Sequence, residues 1–328
     1  MKGGWRCRRV LTVSLAMVVC YLFARAALAA DLLTAPLRTS DTPTASAATA
    51  MRAARAQTHT GAPARIVSLN PCVDTILVEI AAREQIAALS FRSRDPRQSV
   101  IVDIANTYPI TYETAEEVVV LRPDLILATK HSALATRNAL KRVGMRLVML
   151  DVPESIESSF AQVRKIAQAI GRTQQGEALI ARLQTAIDRA RGDSRITAII
   201  FQPTGLTPGK GTLISELMGV VGFDNVAERY GIKRWGIVGL EQLIANPPAV
   251  LLSGEVEPGA PTRAEQLVQH PALRHMRSQM KRATFPARQL NCGGPVMELA
   301  LQSLVSARDG AGDAIAPQSS LSMRGAVQ

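Results

Sequence analysis

The chain has 328 residues and a formal net charge of +11; 47% of its residues are hydrophobic and only 4% are aromatic. This length and apolar fraction suffice for one large or two medium folded domains, and they exclude a wholly disordered chain. The basic excess suggests nucleic-acid binding only if Lys and Arg cluster among aromatic residues. The location of the basic residues along the chain therefore determines whether this interpretation applies.

The first 29 residues have the pattern of a secretory signal peptide. Basic residues precede an uncharged run over 10–23, and Ala27-Leu28-Ala29 offers small residues where a signal peptidase would cleave. The uncharged run is short for a membrane span. Cleavage after Ala29 removes five basic residues and no acidic one, which leaves a formal charge of +6. The sequence therefore predicts export as a soluble protein.

Two segments have the composition of flexible chain. Residues 30–63 are rich in Ala, Thr, Ser and Pro, and residues 309–328 consist mostly of small and polar residues. Neither shows hydrophobic periodicity, so we interpret the first as a linker and the second as a disordered tail. The folded protein is predicted to span residues 64–308.

Short apolar runs alternate with amphipathic stretches over residues 64–152. Strands are predicted at 65–69, 86–90, 125–128 and 146–150, and helices at 73–80, 114–121 and 133–143. Alternating strands and helices are typical of parallel βαβ units. These residues are therefore predicted to form an N-terminal α/β lobe.

Two helices are predicted to connect this lobe to the rest of the chain, within residues 153–193. Apolar residues recur at helical spacing from Ile156 to Ile170 and again over 173–191. The second stretch would span roughly 28 Å as a helix, enough to bridge two small domains. Residues 194–308 then alternate strands and helices again, and they are predicted to form a C-terminal lobe.

A helix, a proline and an apolar strand recur in the same order in both lobes. Glu116 precedes Pro123 by seven residues and Glu241 precedes Pro248 by seven, and a strand follows each proline. The predicted fold class is α/β, with two similar βαβ lobes that have parallel sheets and are joined by a long backbone helix. Ligands of such folds bind at the carboxyl ends of parallel strands, so a ligand cleft is predicted between the lobes.

Several motifs, in their order and spacing, resemble those of the periplasmic solute-binding proteins of ABC importers for vitamin B12, ferric siderophores and haem, which have a helical backbone between their lobes. The motifs are Arg65-Ile-Val-Ser-Leu-Asn-Pro71, the segment 115–127 with Pro123-Asp124, Leu240-Glu241-Gln-Leu-Ile244 and Asn291-Cys-Gly-Gly-Pro295. The resemblance covers residues 64–308. It implies a monomeric binding protein that delivers an iron complex to a permease dimer with ATPase subunits, without catalysis, cofactor or nucleic-acid partner.

The same resemblance implies a role for Glu116 and Glu241. In that family each lobe carries a surface glutamate that docks into arginine pockets on the permease, and these two residues match those positions. The internal repeat supports the match, because it places one acidic residue at the same point of each lobe. The alternative is that both are ordinary solvated helix residues.

Residues near the ends of the predicted strands, together with those that match family positions, are the candidates for ligand binding. They are Pro71, Cys72, Arg92, Arg94, Tyr112, Lys130, His131, Trp235 and Cys292. The basic residues predict an anionic ligand, because guanidinium groups pair bidentately with carboxylates. Ferric siderophores, ferric carboxylates and haem fit this condition, with Tyr108, Tyr112 and His131 as candidate ligands to haem iron. A corrinoid such as vitamin B12, which is largely neutral, fits less well.

Other interpretations stay open at this point. Cys72 and Cys292 either form a disulfide, contact the ligand as thiols or are inert. The four histidines lack the close spacing of a bare zinc or manganese site. The segment from Gly205 to Thr212 resembles a phosphate loop but has the wrong spacing. An exported enzyme with its active site in the cleft is the alternative of another class.

Overall fold

The computed structural model describes residues 61–254, 270–276 and 279–315. The predicted signal peptide, residues 30–60 of the predicted linker and residues 316–328 of the predicted tail lie outside the described residues. Both lobes lie within one compact unit of the chain. In the described ranges, no helix combines the length and apolarity that crossing a bilayer requires.

The N-terminal lobe is a five-stranded parallel sheet with helices between its strands. Its elements are β1 (Ile66–Ser68), α1 (Pro71–Ile80), β2 (Ile86–Ser90), α2 (Val102–Ala105), β3 (Ile110–Thr111), α3 (Ala115–Val120), β4 (Leu125–Thr129), α4 (Leu134–Arg142) and β5 (Leu147–Leu150). The strand order is β3-β2-β1-β4-β5. Every residue of β4 is buried, as expected for a strand at the centre of a sheet that is covered on both faces.

Side-chain caps determine where the helices of this lobe begin. Asn70 Oδ1 accepts hydrogen bonds from the backbone N–H groups of Cys72 and Val73, and Pro71 occupies the first position of α1. Thr114 caps α3 in the same manner. These caps satisfy N–H groups that the first helical turn leaves without partners. Helix α1 therefore starts directly behind the carboxyl end of β1, and Cys72 lies in its first turn.

Two backbone helices follow, α5 (Ile156–Ala169) and α6 (Thr173–Ala190). Along α6, Leu179 and Leu183 pack into the core of the N-terminal lobe, whereas Ile187 and Ala190 pack into the core of the C-terminal lobe. One helix therefore contributes to both cores. This packing confirms the predicted connection by a long helix.

The C-terminal lobe contains a four-stranded parallel sheet and a separate antiparallel pair. Its elements are β6 (Ile196–Phe201), β7 (Leu206–Pro208), α7 (Leu213–Val221), β8 (Phe223–Asn225), β9 (Trp235–Ile237), α8 (Leu240–Ala245), β10 (Val250–Ser253), α9 (Pro271–His275), β11 (Lys281–Thr284) and α10 (Val296–Ile315). The parallel sheet has the order β11-β10-β6-β8, and β7 pairs with β9.

The two sheets share one topology. The strands β2-β1-β4-β5 of the first lobe correspond to β8-β6-β10-β11 of the second. The unit formed by α3, Pro123 and β4 corresponds to the unit formed by α8, Pro248 and β10. The predicted fold class, two similar lobes with parallel sheets, is confirmed.

The end of the chain differs from the expectation, because α10 continues to Ile315 where the sequence predicts a disordered tail from residue 309. Ala307 and Ala311 are buried and belong to the core of the C-terminal lobe. Packing of this small-residue face outweighs the low helix propensity of the two glycines in the last turns. The predicted boundary at 308 therefore falls inside a helix.

Candidate functional site

A cavity of about 520 Å³ lies between the two lobes, at the carboxyl ends of the parallel strands. The loops after β1, β4 and β5 form one wall, and the start of α7, the start of β9 and the segment before α10 form the other. Cavities of this volume accommodate small-molecule ligands. The position matches the cleft predicted from the sequence.

Polar contacts fix the N-terminal wall. Thr129 Oγ1 accepts a hydrogen bond from Asn70 Nδ2 at 3.2 Å and another from the backbone N–H of His131 at 3.3 Å. These bonds join the end of β1 to the end of β4. Lys130 and His131 follow β4, line the cavity and are exposed. The site thus presents an ammonium group and an imidazole to a ligand.

The antiparallel pair β7–β9 positions Trp235 on the opposite wall. Pro208 lies opposite Trp235 in the register, and Thr207 lies opposite Gly236. Trp235 lines the cavity and is 42% exposed. An exposed indole ring gives a flat apolar surface on which a bulky chelate or macrocycle can pack.

The segment that resembles a phosphate loop supports this wall. It contains β7 and, directly after it, Gly209, where a Cβ atom would lie 2.7 Å from the carbonyl oxygen of Ile232. Lys210 Nζ pairs with Glu228 Oε2 at 2.8 Å. The lysine that would hold a phosphate is thus already engaged, and the glycine is explained by close backbone packing.

Charged groups lie at the cavity from both lobes. Lys130 comes from the N-terminal lobe and Arg234 from the C-terminal lobe, and Glu154 follows β5. Arg234 Nη2 forms an ion pair with Glu154 Oε1. Among the described residues, Lys130 has no ion-pair partner. The formal charge of the lining is therefore positive.

Gln162 on α5 provides a buried acceptor in the cavity. Its Nε2 donates a hydrogen bond to the carbonyl oxygen of Asp151 at 2.5 Å, which fixes the orientation of the amide. Its Oε1 is buried and has no hydrogen-bond partner among the described residues. A ligand or water that carries a donor could satisfy this oxygen.

A disulfide joins Cys72 to Cys292, a pairing that the sequence leaves open. The two Cα atoms are 5.1 Å apart. Cys72 lines the cavity, whereas Cys292 is nearly buried and does not. Pro71, another predicted ligand residue, begins α1 and also does not line the cavity. The disulfide links the two lobes beside the ligand cleft.

Two glycines after Cys292 allow this segment to pack closely on the N-terminal lobe and on α5. Gly294 has a φ of +59°, and a Cβ atom there would lie 2.6 Å from Ile76 of α1. A Cβ atom on Gly293 would lie 2.5 Å from Ser159 Oγ, which accepts a hydrogen bond from the N–H of Gly294. The close approach explains why the motif Asn291-Cys-Gly-Gly-Pro295 needs both glycines.

Arg92, Arg94 and Tyr112 do not line the cavity, contrary to the expectation from the sequence. Arg94 Nη2 donates to the carbonyl oxygen of Tyr108 at 2.7 Å, and Arg92 Nε lies 3.9 Å from Glu113 Oε1. The physical reason is the strand order, since β2 and β3 lie on the opposite side of β1 from β4 and β5. The loops that follow β2 and β3 are therefore displaced from the cavity.

A buried acidic pair lies beneath the turn that carries Arg92. Asp74 Oδ2 accepts hydrogen bonds from Ser90 N at 2.9 Å and Ser93 Oγ at 2.6 Å. Burial raises the pKa of Asp74 to about 7, and these hydrogen bonds oppose the effect only in part. Burial likewise raises the pKa of Glu113, whose Oε1 accepts a hydrogen bond from Ser90 Oγ.

These carboxyl groups predict that the lobe loses stability as the pH rises. Since the folded-state pKa of Asp74 lies above its unfolded value of 3.8, the folded protein binds more protons, and the free energy of unfolding falls up to about pH 7. We expect Asp74→Asn to reduce the loss between pH 5 and pH 8 by about 2 kcal/mol in urea unfolding. The exposed Asp103→Asn is the control. An unchanged pH dependence in Asp74→Asn would contradict the assignment.

Glu116 and Glu241 occupy equivalent places in the two lobes. Each is the second residue of a short helix, α3 or α8, and each is exposed. Neither side chain has an ion-pair or hydrogen-bond partner in the part of the chain that the structure describes. Both carboxylates are therefore available to another protein.

The cavity is also lined by three residues that were not predicted from the sequence as ligand-binding, namely Glu154, Gln162 and Arg234. Glu154 follows a predicted strand, and Arg234 directly precedes the predicted ligand residue Trp235. These positions in the sequence could have identified both residues as candidates. Gln162 lies inside a helix and gave no such signal. Within the described ranges, no group of three or more His, Cys, Asp or Glu residues could hold a metal ion.

Comparisons with known proteins agree with this architecture. The family model for periplasmic binding proteins matches residues 66–279. The uncharacterized ABC transporter substrate-binding lipoprotein YvrC of Bacillus subtilis (strain 168) is 21% identical over 230 residues, which cover 66% of this chain and 71% of YvrC.

Solved structures share the fold at low sequence identity. The apo periplasmic haem-binding protein RhuT from Roseiflexus sp. RS-1 is 22% identical, with a TM-score of 0.62 over 75% of this chain and 98% of RhuT. The ABC-type Fe³⁺-hydroxamate transport system protein from Saccharomonospora viridis DSM 43017 is 18% identical, with a TM-score of 0.58 over 76% and 94%. Since the family model spans more than half of the sequence, the chain belongs to the periplasmic binding protein family.

Proposed function

We propose that this protein is the substrate-binding component of an ABC importer, and that it captures an anionic iron chelate in the cleft between its lobes. The observation that carries the proposal is the pair of cationic side chains, Lys130 and Arg234, that line the cavity from opposite lobes. Trp235 adds a flat apolar surface between polar groups. Such a site suits a compact complex with carboxylate or other anionic oxygen atoms at its surface.

The protein works in the periplasm and catalyses no step in this proposal. The signal-like residues 1–29 support export, and the Cys72–Cys292 disulfide suits an oxidising compartment. Glu116 and Glu241 dock the loaded lobes onto arginine pockets of the permease dimer, and ATPase subunits supply the energy. The binding protein itself acts as a monomer.

Haem is the second candidate ligand, and His131 is the observation that favours it. Its imidazole is exposed at the cavity, where it could ligate haem iron. The propionates of haem would meet the same cations. RhuT, whose fold this chain shares, is described as a periplasmic haem-binding protein.

Absorption and fluorescence measurements separate the two ligands. We expect the protein isolated from its native periplasm to show a broad charge-transfer band without a Soret band, and ferric citrate to quench Trp235, the only tryptophan after residue 5. Lys130→Gln should weaken ferric citrate binding about tenfold, because it removes a charge-assisted contact. Lys141→Gln, an exposed lysine on α4, is the matched control and should bind as the wild type does.

The opposite results have clear meanings. A Soret band that His131→Ala abolishes would establish haem as the ligand. A cleft that binds neither ferric chelates nor haem would overturn the proposed class of ligand.

A further inference from the structure

Glu154 and Arg234 face each other across the ligand cavity. Glu154 belongs to the loop between β5 and α5, and Arg234 directly precedes β9 in the other lobe. Their side chains form an ion pair and line the cavity, with 48% and 55% of the side-chain surface exposed. The contact therefore joins the lobes at a place where a ligand must enter.

The backbones on both sides of this ion pair are anchored. The N–H of Glu154 donates to Ser158 Oγ at 2.9 Å, within the cap of α5. The carbonyl oxygen of Arg234 accepts a hydrogen bond from the N–H of Gly209, next to the β7–β9 pair. The ion pair can therefore open and close through side-chain rotation, without movement of either lobe.

Glu154 is the sole carboxylate among the described residues that line the cavity. It neutralises one of the two cations there and leaves Lys130 without an ion-pair partner among the described residues. A half-exposed ion pair contributes only about 0–1 kcal/mol, because water and salt screen it. An incoming anion can therefore replace Glu154 at little cost, since guanidinium binds any carboxylate in the same geometry.

We propose that Glu154 is an internal counter-ion that occupies Arg234 in the empty cleft and is displaced by an anionic group of the ligand. This inference deepens the proposed function and rests on it. Glu154 thereby opposes ligand binding, because an anion must break the ion pair and then bind close to the released carboxylate. Its negative charge lowers the affinity for every anionic ligand.

Iron-free citrate tests the exchange independently of the true ligand. With Trp235 fluorescence as the signal at low ionic strength, Glu154→Gln should bind citrate roughly three- to tenfold more tightly than the wild type. Arg234→Gln should bind it at least about tenfold more weakly. Glu157→Gln removes the same charge from an exposed position on α5 and should change nothing.

Unchanged or weaker citrate binding by Glu154→Gln would overturn the inference, and so would a wild-type protein that does not respond to citrate. The proposed function is tested separately, by measuring the binding of ferric citrate and of haem to the same proteins. Citrate exchange without binding of any iron complex would thus reject the ligand class and support the counter-ion role of Glu154.

Discussion

Uptake of the bound chelate should be lost when Glu116 and Glu241 are both changed to alanine, while the affinity of the cleft for its ligand stays the same. Each carboxylate is exposed at the start of its helix, outside the cavity lining. Removing one partner of a buried charge pair costs about 2–5 kcal/mol of binding free energy. Loss of both contacts should therefore weaken docking to the permease roughly a thousandfold or more.

Transport of ⁵⁵Fe-labelled chelate measures the effect, and Trp235 fluorescence measures ligand affinity in the same variants. The matched control is Glu84→Ala with Asp224→Ala, which removes one exposed acidic residue from each lobe outside α3 and α8. The control should transport normally. Wild-type uptake by the Glu116/Glu241 double variant would refute the docking role, and weakened ligand binding would show that the glutamates act on the cleft instead.

Long elements of the fold were predictable because their signals are local. The strand Ile86–Ser90 is a mostly apolar run, and its observed bounds equal the predicted ones. The helix–proline–strand repeat also identified the equivalent halves. Short strands such as β3 and β7 were not predicted, since two or three residues acquire strand geometry only by pairing. The last turns of α10 were not predicted, because packing against the core of the C-terminal lobe stabilises them rather than local helix propensity.

Apart from Trp235, which matches a family position, residues of the site were predictable only where the end of a strand determines their place. Lys130 and His131 follow a central strand, and the structure places both at the cavity. Arg92 and Arg94 follow β2, which also ends on the side of the cleft. Local sequence does not reveal the order of strands within a sheet, so the distance of these residues from the cavity could not be predicted. The ion pair of Arg234 with Glu154 depends on how two lobes face each other, so no spacing along the chain reveals it.

The Cys72–Cys292 disulfide depends on the same long-range information. The two cysteines are separated by 220 residues, and only the folded lobes bring their Cα atoms within bonding range. A cross-link over so long a loop restricts the unfolded chain strongly, and the loop-closure model assigns it about 5 kcal/mol. The bond also holds α1 against the segment before α10, beside the cavity.

We expect Cys72→Ser with Cys292→Ser to lower the free energy of unfolding by about 3–5 kcal/mol and the melting temperature by roughly 10 °C. Ligand affinity should also fall, because Cys72 lines the cavity and the lobes lose their covalent link. Thermal and urea unfolding with and without dithiothreitol measure the change in stability. The reductant should destabilise the wild type to the level of the double variant and leave the variant unaffected. Equal melting of the variant and the oxidised wild type would show that packing of Gly293 and Gly294 on the N-terminal lobe and α5 holds the lobes together without the bond.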